Sequence, residues 1–81
     1  PPAGAPVHRE VELAIRDESG LAPLLKGIMQ AFPGVYAKSR VSGAKDSIRI
    51  VVALSAEGGT SVRLEEVEAR LRDAIQGAGL R

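Results

Sequence analysis

Apolar residues recur along this chain first at every second position, then at helical spacing, then twice more at every second position, and finally at helical spacing again. That succession of periods constrains the fold more than any other feature of the sequence, because each period buries only one face of its element. From Val7 to Ile15 the odd positions Val7, Arg9, Val11, Leu13 and Ile15 alternate with His8, Glu10, Glu12 and Ala14, which predicts a half-buried strand. Leu21, Leu24, Leu25, Ile28, Met29 and Phe32 come next, and at 100° per residue they fall within an arc of roughly 140°, the stripe of an amphipathic helix. Asp17-Glu18-Ser19-Gly20 supplies turn and capping residues ahead of it. Pro23 is tolerated only in a first helical turn, so the helix is expected to begin near Ser19 or Gly20 and to end at Pro33-Gly34.

A second strand is predicted over Val35 to Val41, with Val35, Ala37, Ser39 and Val41 on one face and Tyr36, Lys38 and Arg40 on the other. Ser42 to Ser47 is a polar, glycine-containing connection, after which Ile48, Ile50, Val52 and Leu54 alternate with Arg49, Val51, Ala53 and Ser55. This pattern predicts a hairpin in which Val41 pairs with Ile48 and Arg40 sits directly across from Arg49, an unfavourable juxtaposition of like charges. Lys38 and the loop residue Lys45 would join the same cationic cluster, which either meets Glu10 and Glu12 of the first strand or faces an anion. Leu64, Val67, Leu71, Ala74, Ile75 and Ala78 resume helical spacing, with Thr60 or Ser61 as the expected N-cap and Gly77 and Gly79 ending the helix. Glu66 with Arg70, and Glu68 with Arg72, are i,i+4 pairs in the favourable order.

The order βαββα, with one-sided helices and one-sided strands, predicts an α+β two-layer sandwich. A right-handed crossover from the first strand to the second, with the third returning between them, gives a three-stranded antiparallel sheet of order 1-3-2 with both helices on one face, a ferredoxin-like arrangement. The opposite face then carries Glu10, Glu12, Tyr36, Lys38, Arg40, Arg49, Val51 and Ala53, and solvent or a partner must cover it. Eighty-one residues suffice for one such domain, read as residues 7–81, while the opening Pro1-Pro2-Ala3-Gly4-Ala5-Pro6 reads as a stiff linker from an upstream domain.

Composition narrows the chemistry. There is no cysteine, which excludes disulfides, thiolate metal sites and cysteine nucleophiles, and His8 is the sole histidine, so no metal-ligating set and no Ser-His pair is expected. Glu10 and Glu12 share a strand face and read as solvated charge rather than as an acid/base pair. Gly58-Gly59 precedes a helix as a phosphate-binding loop would, but neither a Walker pattern nor GxGxxG is present. No cofactor is expected. The longest apolar run, Ile50 to Leu54, is far short of the ~20 residues that span a bilayer, and without an export signal the expected location is the cytoplasm. With a formal net charge of +1 no broad field for nucleic acid is expected, and the candidate contact residues for an anion or partner are Tyr36, Lys38, Arg40 and Arg49 on one outward face.

Two strings are distinctive: Arg16-Asp17-Glu18-Ser19-Gly20-Leu21-Ala22-Pro23-Leu24-Leu25, and Phe32-Pro33-Gly34-Val35-Tyr36-Ala37-Lys38-Ser39. Together with the third strand and last helix, they resemble the small domain that follows the molybdopterin-binding-like domain in the competence/damage-inducible protein A family, particularly its archaeal-type members. The resemblance implies a KH-like domain accompanying a catalytic module for nucleotide-pyrophosphate hydrolysis, in some members with a separate nicotinamide-nucleotide deamidase. It implies no catalytic residue within this chain. A nucleic-acid-binding KH domain clamps the backbone with a GxxG loop, whereas here Gly43 stands alone and Gly58 and Gly59 are adjacent. The expected function is therefore a non-catalytic accessory domain that positions or oligomerises the upstream domain. The alternatives are a KH-like single-strand nucleic-acid binder using Tyr36, Lys38, Arg40 and Arg49, and an ACT-type small-ligand regulatory domain that dimerises.

Overall fold

The computed structural model describes residues 7–16, 18–43, 47–57 and 63–80. The linker Pro1 to Pro6, Lys45, the Gly58-Gly59 pair and the expected caps Thr60 and Ser61 lie outside the described residues. The elements are β1 (Val7–Leu13), α1 (Ala22–Ala31), β2 (Val35–Ser42), β3 (Arg49–Ala56) and α2 (Leu64–Ala78). The three strands form one antiparallel sheet of order β1-β3-β2. The fold is thus the α+β arrangement that the periodicities predict, with the element order of the first five elements of a ferredoxin-like unit.

The core joins the odd positions of β1 and β2 to the even positions of β3 and to the stripes of both helices. Val11, Leu13, Val35, Ala37, Ile50, Val52, Leu54 and Ala56 line the sheet side, and Leu21, Leu25, Ile28, Leu64, Val67, Leu71 and Ile75 the helix side. Leu24, Met29 and Phe32 pack at its margin. No polar or charged side chain among the described residues is buried.

The helix ends differ from the sequence expectation in instructive ways. α1 starts at Ala22 rather than near Ser19 or Gly20, because the Leu21 N–H bonds the Glu18 carbonyl in a tight turn and Pro23 then fills the first helical turn. The Leu21 side chain, fully buried, anchors that turn in the core. At the other end Phe32 caps α1, and Gly34, at φ 95°, turns the chain into β2. α2 begins at Leu64, with Arg63 at the N-cap and no side-chain capping bond. Gly77 lies inside α2, and Gly79 alone ends it in the left-handed conformation, with the Leu80 N–H reaching the Ile75 carbonyl.

The hairpin register also departs from expectation. Val41 pairs with Ile50 rather than with Ile48, Arg40 lies opposite Val51 rather than Arg49, and the last paired position is Ser42 with Arg49. Gly43 explains the shift: at φ 102° it opens the turn, and a Cβ there would run into the Ser47 carbonyl oxygen. The ladder therefore runs through Ser42 before the chain turns. A shift of two residues keeps every side chain on its expected face.

The sheet outruns its helical cover. Ten residues of α1 span about 15 Å, whereas eight residues of β2 span about 26 Å. Val41 and Ile48, expected in the buried rows at the hairpin end, consequently stand 58% and 52% exposed, and Val7, at the start of the edge strand β1, stands 45% exposed. Arg9, also in the inward row, sits on an edge strand and extends past the edge to Glu68 of α2.

Leu25 and Leu71 lie at the centre of the helix-sheet interface, 6% and 0% exposed. Leu25→Ala or Leu71→Ala should each cost about 2 to 5 kcal/mol, a large share of the ~4 to 12 kcal/mol expected for a domain of this size. Lys26→Ala, on the exposed side of α1, should cost less than about 0.5 kcal/mol. Urea unfolding of the three variants checks the helix phase, and equal midpoint shifts at positions 25 and 26 would refute it.

Candidate functional site

The face of the sheet opposite the helices is a grid. Because β3 pairs with β1 and β2 in matched register, three residues stand abreast at each level: His8, Ser55 and Tyr36; then Glu10, Ala53 and Lys38; then Glu12, Val51 and Arg40; and finally Arg49 beside Ser42. The β1 column is acidic below His8, the β2 column is basic below Tyr36, and the central column is small or aliphatic until Arg49. Neighbouring strands lie about 4.8 Å apart, so the outer columns are separated by roughly 10 Å across a low floor.

Long side chains bridge that floor. Arg40 reaches diagonally to Glu10, Nη2 to Oε2 at 3.1 Å, and Arg49 donates from Nη1 to Glu12 Oε1. These four side chains frame Val51, which is only 8% exposed although it points away from the core. Their aliphatic stems shield it while their charged heads remain in water. Two of the four residues singled out in the sequence, Arg40 and Arg49, are therefore engaged with carboxylates of β1. They do not oppose each other, and the like-charge conflict expected from pairing Val41 with Ile48 does not arise.

The other two stand differently. Lys38 is exposed and has no carboxylate within 4.0 Å among the described residues, its level-mate Glu10 being held by Arg40. Tyr36 is 59% exposed. Beside it an open hollow is lined by His8, Gly34, Tyr36, Ser55, Ala56 and Glu57. His8 and Ser55 carry no sequence signal of their own as site residues. Their membership becomes visible only when the pairing of β1 with β3 and of β3 with β2 is followed across the sheet.

At the opposite end of the sheet a second hollow is lined by Glu12, Leu13, Ala14, Ile15, Arg16, Ile48 and Arg49, where the final turn of β1 leaves the start of β3. It contains one carboxylate, and that is paired with Arg49. Among the described residues no group of three or more His, Asp or Glu is placed to hold a metal ion, and no helix is long and apolar enough to cross a membrane.

On the helical side one carboxylate is electrostatically distinct. Glu68 accepts from Arg9 Nε at 2.5 Å and from Arg72 Nε at 2.9 Å, and Arg72 also approaches the Glu12 carbonyl at 3.5 Å. Hydrogen bonds from Arg9 and then Arg72 hold the Glu68 carboxyl below the usual range, against a smaller opposing effect of burial. Glu68 thus ties the β1 edge to α2. The Glu68–Arg72 pair expected from spacing forms, whereas Glu66 and Arg70 make no ion pair within 4.0 Å among the described residues.

No protein-family model matches the chain, and neither a curated protein nor a solved structure matches it.

A carboxyl whose folded value is lowered contributes stability above its unfolded range and loses it as pH falls through the folded value. Glu68→Gln should therefore melt below the native chain at neutral pH, by at most about 5 °C for a surface pair in a domain of this size. The gap should close on acidification. Melting curves from neutral pH to pH ~2 check this, and a gap independent of pH would remove the ionic bridge as its cause.

Proposed function

We propose that this chain is a non-catalytic accessory domain that presents the open face of its sheet to a partner domain. In keeping with the resemblance to the competence/damage-inducible protein A family, that partner is the molybdopterin-binding-like, nucleotide-processing domain of the same cytoplasmic protein. The observation that supports an interaction role is the contrast between the two faces of the sheet. One face is spent on helix packing. The other carries an ordered array of charges on a backbone held in register by two ladders. Charges fixed on a rigid support orient a partner and accelerate its docking more than they add raw affinity.

The pairs Arg40–Glu10 and Arg49–Glu12 are exposed and of small intrinsic worth, so exchanging Glu10 or Glu12 for an acidic group of a partner costs little. Lys38 offers a cation that needs no exchange. Titrating the isotopically labelled chain with its neighbouring molybdopterin-binding-like domain, at low and moderate salt, tests the reading. Amide shifts should centre on Lys38, Arg40 and Arg49, and binding should weaken with salt as surface charges are screened. Lys38→Glu should weaken it roughly tenfold. Shifts confined to the helical face, or no binding at low salt, would refute the proposal. The chain alone should release no product from ADP-ribose or nicotinamide mononucleotide, and turnover abolished by a substitution within residues 7–81 would show that it is an enzyme.

A further inference from the structure

The upper level of the open face sets two ring systems on either side of a hydroxyl. His8 on β1 pairs with Ser55 on β3, Ser55 pairs with Tyr36 on β2, and all three line one open hollow. Since directly paired residues project to the same side, both rings rise from the same face, with backbones roughly 10 Å apart. That spacing leaves room between the two rings for a third, planar ring, since aromatic rings attract at centroid separations of ~4.5–7 Å. The floor between them bears only the Ser55 hydroxyl, which can donate to or accept from the edge of such a ring.

Charge fixes the direction in which a ligand extends from that ring. Glu57 lines the hollow beyond Ser55, at the end where β3 finishes, and disfavours an anion there. Lys38 stands at the other end, two residues or about 7 Å along β2 from Tyr36, exposed and without a carboxylate partner among the described residues. The nearest carboxylate across the sheet, Glu10, is neutralised by Arg40 at 3.1 Å. A flat heteroaromatic ring carrying a phosphate fits this sequence of groups, the sugar spanning from the clamp toward the lysine.

From this geometry we infer that His8, Ser55 and Tyr36 form a clamp for one unstacked nucleobase, with Lys38 receiving its phosphate. The chemistry is the same for a free nucleotide and for one unit of a single strand. The inference stands apart from docking to a partner domain, because it is measured on this chain alone.

Tyr36 is the only tyrosine and there is no tryptophan, so intrinsic emission reports the clamp ring directly. Hexathymidylate, with inner-filter correction, should quench that emission saturably, and an abasic hexamer of equal charge should not. In anisotropy titrations of a fluorescein-labelled hexamer, Tyr36→Ala and His8→Ala should each weaken binding roughly 5- to 100-fold, the range of one base stacked on an aromatic side chain. Tyr36→Phe keeps the ring and should stay within about twofold. Lys38→Ala should weaken binding and reduce the slope of log affinity against log salt by about 0.7, one phosphate contact on a single strand. All three substituted positions are on the open face, and circular dichroism melts verify that each of the four variants folds. Quenching by thymidine monophosphate at the concentrations effective for the hexamer identifies a free nucleotide as the source; quenching by the hexamer alone identifies a strand. Absence of quenching by either, an abasic hexamer that binds as tightly as hexathymidylate, or unchanged affinity in folded His8→Ala overturns the clamp.

Discussion

Two helices pack on a three-stranded sheet from one side only, and the remaining features of the molecule depend on that one-sided burial. The inward rows must be largely apolar, and apart from Arg9 and Ser39 on the two edge strands they are, from Val11 and Leu13 through Ile50, Val52 and Leu54 to Val35 and Ala37. The outward rows cannot be buried by anything in the described fold, so they accumulate the charges that solvent stabilises. The helices are also shorter than the strands they cover. Apolar residues at the rim, Val41 and Ile48, are therefore left in the open even though their alternation is that of a buried row.

The outward face acquires its order from the central strand. β3 carries Ser55, Ala53 and Val51 there, side chains too short to separate the columns on either side. Acidic β1 and basic β2 thus face each other across a low floor, and only long, forked side chains span it. Arginine does so at positions 40 and 49, where a planar guanidinium can meet a carboxylate while its stem lies over Val51. Lysine at position 38 does not, because Arg40 already occupies the carboxylate opposite it. The result is a face divided into a lower half of internally satisfied charge and an upper half holding Tyr36, His8 and a cation that has no carboxylate partner among the described residues.

That division bears on function. A lower half of exchangeable pairs suits an orienting surface for another domain, while an upper half with rings, a hydroxyl and a lysine suits a small planar anion. The two uses share Lys38 and otherwise occupy different levels of the same sheet. The helical face, in contrast, is closed by a bridge in which Glu68 holds Arg9 of the edge strand and Arg72 of its own helix, and this bridge serves the fold.

Local periodicity by itself determined the element types, the face on which each side chain lies and the group Tyr36, Lys38, Arg40 and Arg49 as residents of one surface, and the right-handed crossover rule added the strand order. Parity is a property of each strand alone, and it survives any even shift in pairing. What only the tertiary structure decided is which residues on that surface meet. The hairpin register depends on where the backbone can turn, and the positive φ of Gly43 placed Arg49 beside Ser42 instead of Arg40. The start of α1 depends on a turn closed by Leu21 burying itself in the core, which capping preferences do not contain. The fate of Arg9, and the alignment of His8 and Ser55 with Tyr36, depend on distances across strands far apart in the chain, and no local pattern carries those distances.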